Sequence, residues 1–134
     1  MNNQRGFSIV MAIFVLIVLG LLGSYMVSLS GVQINSANYA FQGARAYQAA
    51  RAGIEWAIAD ISLANSCTQV NAETAMTFTG INGFTVTLTC SASSAYYEGS
   101  NSYIVYTVTS LSQFGSYSSN NYIARQIQTT IVLP

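Results

Sequence analysis

The sequence predicts an α+β fold in which a long N-terminal helix, transmembrane in its first half, packs on a small antiparallel β-sheet. Three features of the 134 residues carry that expectation: a charge-free apolar run near the N-terminus, an alanine-rich stretch after it, and a second half in which apolar and hydroxyl side chains alternate. One domain plus an anchor is as much as this length accommodates, because residues spent in a bilayer are lost to a soluble core.

The run FSIVMAIFVLIVLGLLGSYMV, residues 7–27, contains no charged side chain. About 20 apolar residues in a helix cover the ~30 Å hydrocarbon core of a bilayer. MNNQRG precedes the run, and Arg5 is the sole charge beside it, so the positive-inside bias holds the N-terminus in the cytoplasm and exports the remainder. Three processing routes fit these residues. A signal peptidase site near Ser28 and Ser30 meets the small-residue rule loosely, behind an apolar run longer than a usual signal core. An uncut signal anchor is the second route. The third is a cut on the cytoplasmic side that leaves the apolar helix on the mature chain, and the junction Arg5-Gly6-Phe7-Ser8, where Gly ends a short polar leader directly before the helix, favours it. The expected organisation is a leader at residues 1–6, the membrane half of the helix at 7–30, its exported half at 31–64 and a small sheet domain at 65–134.

Residues 32–64, VQINSANYAFQGARAYQAARAGIEWAIADISLA, keep a helical composition, with only Gly43 and Gly53 weakening it. Tyr47, Ile54, Ile58 and Ile61 follow one another at seven, four and three positions, which sets them along one side of a helix expected to rest on a sheet. Arg51 and Glu55, four apart, suit a surface ion pair worth about 0.2–0.5 kcal/mol, with a packing neighbour as the functional alternative. Trp56, beside Ala52 and Ala59, reads as a packing residue.

Beyond the helix, FTVTLTC (84–90) alternates Phe84, Val86 and Leu88 with threonines, the period of a half-buried strand. SYIVYTVTSL (102–111) and YIARQIQTTIVL (122–133) read as further strands. Asn82-Gly83 is a hairpin signal, but a strict two-residue turn places Phe78 on the threonine side, so the register of residues 76–81 stays open. The segments SASSAYYEGSNS (91–102) and SQFGSYSSNNY (112–122) read as loops rich in Tyr, Ser, Asn and Gly, a composition that serves adaptable contacts or ordinary turns. Cys67 and Cys90 are the two cysteines. On an exported chain they are expected to form a disulfide that staples the helix end to the sheet and stabilises by about 3 kcal/mol.

Composition excludes several function classes. Four basic and four acidic side chains, with no Lys and no His, give no electrostatic footprint for nucleic acid. Without His or a second cysteine pair a zinc site is not expected. There is no glycine-rich phosphate loop and no nucleophile beside a base, so neither catalysis nor a cofactor is expected.

The segment QRGFSIVMAIFVLIVLGLLG resembles the N-terminal signature of type IV pilins, minor pilins and type II secretion pseudopilins. The resemblance implies a pilin-like fold, prepilin peptidase cleavage between Gly6 and Phe7, and N-methylation of Phe7. It also implies partners among major and minor pilin subunits, and residence in the inner membrane with the C-terminal domain periplasmic before incorporation into a pilus. Gly20 falls where many pilins carry a helix-weakening glycine, while Ser28 stands where a proline is common, which implies an unbroken or gently softened helix. Together with AYQAARAGIEWA, the first half is most similar to MshP-type minor pilins of the mannose-sensitive haemagglutinin (MSHA) pilus. The chain departs from the family at Met11, the fifth residue after the implied cut, where the usual member has Glu. That carboxylate neutralises the N-terminal amine of the previously assembled subunit in the apolar filament core, and a buried unpaired charge costs several kcal/mol. With Met11 no such demand arises, which implies a subunit suited to a tip or initiation complex; the alternative is that Met11 is simply a tolerated apolar residue in an apolar span. The alternatives are a type II secretion pseudopilin, or a single-pass anchored adhesin that uses its tyrosine-rich loops without joining a filament.

Overall fold

The computed structural model describes residues 7–134. The expected leader, with Arg5 and Gly6, lies outside the described residues. Helix α1 runs without a break through Phe7–Ala64, passing Gly20, Gly23 and Gly31, whose Cα positions are open to space. Helix α2 (Thr68–Ala72) follows, then strands β1 (Thr85–Ala92), β2 (Tyr96–Glu98), β3 (Asn101–Phe114) and β4 (Ile123–Leu133). The long N-terminal helix packs on a small antiparallel sheet, the α+β arrangement expected. Two compact units divide the chain, Met1–Ala40 and Phe41–Pro134.

Within the second unit the helix turns its small residues to the sheet. Ala46, Ala49, Ala50, Gly53, Ile54, Ala57 and Ile61 are buried, each three or four positions from its neighbour on that side. Tyr47, expected on the same side, is 49% exposed, while Ile58 is half-buried. Ile54 and Ile61 face the sheet as expected, and at the start of the stripe the smaller Ala46 takes the inward position in place of Tyr47. The smallness is needed: a Cβ on Gly53 would lie 2.7 Å from Ser110 Oγ and 2.8 Å from Val86 Cγ1. Ser110 and Ser112 are fully buried on β3 facing this ridge. Trp56 packs against the edge of the core, as a packing residue should.

Strand β3 is the hub, pairing antiparallel with β1, β2 and β4. Its buried residues Tyr106, Val108, Ser110 and Ser112 alternate with half-exposed ones. They stand opposite Ala92, Cys90, Leu88 and Val86 of β1. The period-two pattern of FTVTLTC thus does what it promised, with Phe84, Val86 and Leu88 inside. Ala92 pairs with Tyr106 and Tyr96 with Tyr103, so one side advances four residues while β3 advances three. A β-bulge at Ser93–Ala95 absorbs the difference, and the segment expected as a loop over 91–102 is a hairpin that turns at Gly99.

The chain after α1 closes the β1 side of the sheet. Asn65 takes a left-handed conformation (φ 48°) just past the helix. Its N–H donates to the Ile61 carbonyl at 2.8 Å, and its own carbonyl accepts from the Tyr106 hydroxyl at 2.8 Å, which ties the helix end to β3. Cys67 and Cys90 form the expected disulfide, with Cα atoms 5.4 Å apart. Asn71 of α2 reinforces the staple: its amide donates to the Cys90 carbonyl at 3.0 Å, and its oxygen accepts from the Cys90 N–H at 2.7 Å. Further along, Met76 and Val86 exchange backbone hydrogen bonds of 2.8 Å. This pairing corrects the hairpin reading of Asn82-Gly83, since a two-residue turn there would set Ile81 opposite Phe84. The connection from Thr77 to Thr85 is instead a wide loop, with positive φ at Gly80 and Gly83, and Phe78 and Ile81 fold back on the core.

Candidate functional site

The functional surface of the first unit is its helix. Every side chain described from Ile9 to Phe41 is exposed except the half-exposed Val18. Eighteen of the residues from Ile9 to Val32 are apolar, and none is charged. Burying one Val, Leu, Ile or Phe is worth about 1.5–3 kcal/mol, so withdrawing this run from water is worth tens of kcal/mol. By length and composition it is, among the described residues, the one helix long and apolar enough to span a membrane, and it lies near the N-terminus.

Two of its hydroxyls bond within the helix. Ser24 Oγ donates to the Leu21 carbonyl at 2.9 Å and Ser30 Oγ to the Met26 carbonyl at 3.0 Å, so both hydroxyls are satisfied inside the helix, as a water-free environment requires. Met11, the residue singled out from the sequence, lies on this helix and is 54% exposed. It offers a flexible apolar surface and no charge. Phe7 is the first residue described in α1, and its partner in the expected cut, Gly6, lies outside the described residues.

The second unit carries the polar and aromatic features. Arg51 Nε and Glu55 Oε1 make the expected ion pair at 2.9 Å on an open surface, where such pairs contribute about 0–1 kcal/mol. Arg45 places its guanidinium 5.9 Å from the Phe41 ring centre and 5.8 Å from that of Phe84, a cation–π contact on both. The tyrosine-rich segments lie at opposite ends of β3. Tyr96 stacks on Tyr103 across the hairpin with ring centres 5.6 Å apart, and Tyr117 meets Tyr122 edge-on at 5.4 Å. Tyr97 and Tyr117 stand out into solvent. These pairs hold their own loops in shape, which is what turn-rich segments with aromatic cross-contacts do.

The structure does not bring the sequence-predicted residues together into one pocket. Met11 belongs to the first unit; Cys67 and Cys90 are joined in the second and serve structure. Sequence reasoning missed the alanine and glycine ridge, whose spacing was readable had small residues been counted as apolar, and Asn71, for which no local signal exists. Comparison with models of known protein families, with curated proteins and with solved structures finds no match to this chain.

Proposed function

We propose that this chain is a minor pilin that takes part in the biogenesis of a type IV pilus of the MSHA kind, in its tip or initiation complex. The single observation that carries the reading is the exposed, uncharged helix from Ile9 to Val32 with Met11 near its start. An apolar surface of this extent needs an apolar partner, first the inner membrane and then the helices of other pilin subunits. Prepilin peptidase removes residues 1–6 after Gly6, and Phe7 becomes the methylated N-terminus. Met11 places no carboxylate in the filament core, so the subunit does not require an N-terminal amine above it and suits the end of the filament.

The intact mass of the membrane-extracted protein tests the route. Loss of residues 1–6 with gain of one methyl group supports it; a chain retaining Met1, or beginning after Ser30, sinks it. The exposed Tyr97 and Tyr117 favour a second reading, an anchored binding module that works outside any filament. Replacing Gly6 separates the two, since it blocks maturation and assembly of a pilin and leaves an anchored binder active. Deletion scored for pilus formation and for type II secretion distinguishes a pilus subunit from a pseudopilin.

A further inference from the structure

The face of the sheet turned away from the helix changes character along β3. Over much of its length it is finished in hydroxyl and amide groups: Thr89, Thr109 and Gln128 form one row across β1, β3 and β4, and Ser91, Thr107 and Thr130 the next. Towards the β2 hairpin the same face turns apolar and aromatic, with Val105 opposite Val132 and Tyr103 opposite Tyr96. The Tyr96 and Tyr103 rings stack with centres 5.6 Å apart and planes 28° apart, while Tyr96 is 43% and Val132 49% exposed. Side chains two apart on a strand share a face, so Glu98, paired with Asn101, stands beside the rings, roughly 7 Å along β2 from Tyr96. Glu98 is the single charge between Ser91 and Ala124. It is exposed, and the one ion pair among the described residues, Arg51 with Glu55, does not involve it.

We propose that this end of the outer face binds an arginine side chain of a different polypeptide, its guanidinium stacked on the Tyr96–Tyr103 pair and hydrogen-bonded to the Glu98 carboxylate. The faces of tyrosine rings carry negative potential and attract a cation, and the carboxylate beside them selects positive charge over an anion or a neutral ring. The site is open to water, which favours guanidinium over ammonium. Guanidinium is planar and less strongly hydrated, and it forks onto both carboxylate oxygens while its plane rests on a ring. The aliphatic stem of the arginine has Val105 and Val132 to lie along. The chain uses the same pairing internally, since Arg45 places its guanidinium 5.9 Å from the Phe41 ring centre and 5.8 Å from that of Phe84. Its own described arginines do not supply the ligand. Arg45 is engaged by those rings, Arg51 by Glu55, and Arg125 lies on the helix-facing side of β4, opposite Ser112 and close to Gly43. The site lies wholly within the second unit and does not rest on the pilus reading.

The test uses the full-length protein, with isotope-labelled tyrosine, in neutral maltoside micelles, titrated with the blocked peptide acetyl-Gly-Ser-Arg-Ser-Gly-amide and followed by NMR. Saturable shifts confined to the Tyr96 and Tyr103 rings are expected, and binding should weaken as salt is raised. The same peptide with citrulline for arginine, equal in shape and uncharged, should not bind, and the lysine peptide should bind several-fold more weakly. Glu98→Gln and Tyr96→Ala should each weaken binding about three- to fivefold. Tyr97→Ala, on the opposite side of the hairpin, should leave it unchanged. Equal binding of the citrulline peptide, no shift at either ring, or full affinity in Glu98→Gln would each overturn the proposal. So would preferential binding of phosphocholine, which makes a lipid headgroup the ligand, or self-association of the chain abolished by Arg125→Gln, which makes a second copy the partner. The citrulline comparison uses the unaltered protein, so it decides the matter even where a variant unfolds. None of these readouts depends on where the N-terminus is cut.

Discussion

Gly53→Ala is the substitution in which local propensity and packing disagree most sharply. In an isolated helix it would stabilise by about 1 kcal/mol, because glycine is the poorer helix former. Here the added methyl lies 2.7 Å from Ser110 Oγ, 2.8 Å from Val86 Cγ1 and 3.1 Å from Leu88 Cδ2. All three neighbours are themselves buried at 2% exposure or less, so none can swing into solvent, and the helix must lift from the sheet. Overpacking of this kind costs about 1–3 kcal/mol, and the lifting also opens Ala49, Ala50 and Ala57. A net loss of about 1–2 kcal/mol is expected, a fall of roughly 5–15 °C in melting temperature for a unit of this size. Trp56, the chain's single tryptophan and half-buried on the same helix, reports unfolding by fluorescence in a urea titration of the full chain in detergent. Gly43→Ala is the control: its Cβ meets only the end of the Arg125 side chain, at 3.2 Å, which is exposed and free to move, so that variant should be neutral or more stable. Removing the nearest contact with Ser110→Ala should restore part of the Gly53→Ala loss, because it also deletes a buried hydroxyl with no hydrogen-bond partner. If Gly53→Ala proves as stable as Gly43→Ala, the close approach of helix and sheet is not what fixes this position.

Three further outcomes are expected. Replacing Cys67 and Cys90 with Ser, which opens a loop of sequence separation 23, should lower stability by about 3 kcal/mol; a urea midpoint unchanged by reduction of the native protein would contradict this. Asn71→Ala should cost about 1 kcal/mol and speed exchange of the Cys90 amide, whose 2.7 Å acceptor is lost, whereas Asn71→Asp, which keeps that acceptor, should leave the amide protected. Met11→Glu should change where or how efficiently the subunit enters pili, since an unpaired carboxylate in an apolar core costs several kcal/mol; unaltered pilus initiation by this variant would remove the basis for tip placement.

The parts of the fold legible in the sequence are those written in strong periodicities. The apolar run and the alternation of Phe84, Val86 and Leu88 announce an apolar face within a single segment, and a chain with two cysteines offers each one partner. What was not legible depends on contacts between segments. Tyr47 satisfies helical spacing as well as Ala46 does, and only the depth of the sheet surface, set by Ser110 and Ser112, decides that the smaller side chain faces inward. Asn82-Gly83 has turn chemistry and does form a turn, yet Met76 pairs with Val86, so tertiary pairing overrode the shortest hairpin. The β2 hairpin was hidden because Ser93, Ser94 and Ala95, the bulge, interrupt the alternation that a strand reading relies on. For the proposed site, Met11 stands out in the sequence only through the resemblance, as an uncharged residue where that family carries Glu.

The choice of small residues for the sheet-facing ridge links the stability of the domain to its proposed assembly. Alanine and glycine bury little apolar area each, so the helix–sheet contact gains less from the hydrophobic effect than a leucine-rich ridge would, and the domain relies correspondingly on close packing and on the Cys67–Cys90 cross-link. In return, the larger side chains of the same helix segment are left on its other sides: Phe41 is 64% exposed and Tyr47 49%. On a free monomer Phe41 makes a cation–π contact with Arg45, and both rings otherwise face outward. In the proposed filament they are the surfaces available to neighbouring helices, and the same division explains why a ridge built from Leu and Phe would not serve: it would stabilise the isolated domain while spending on its own core the aromatic contacts that assembly requires.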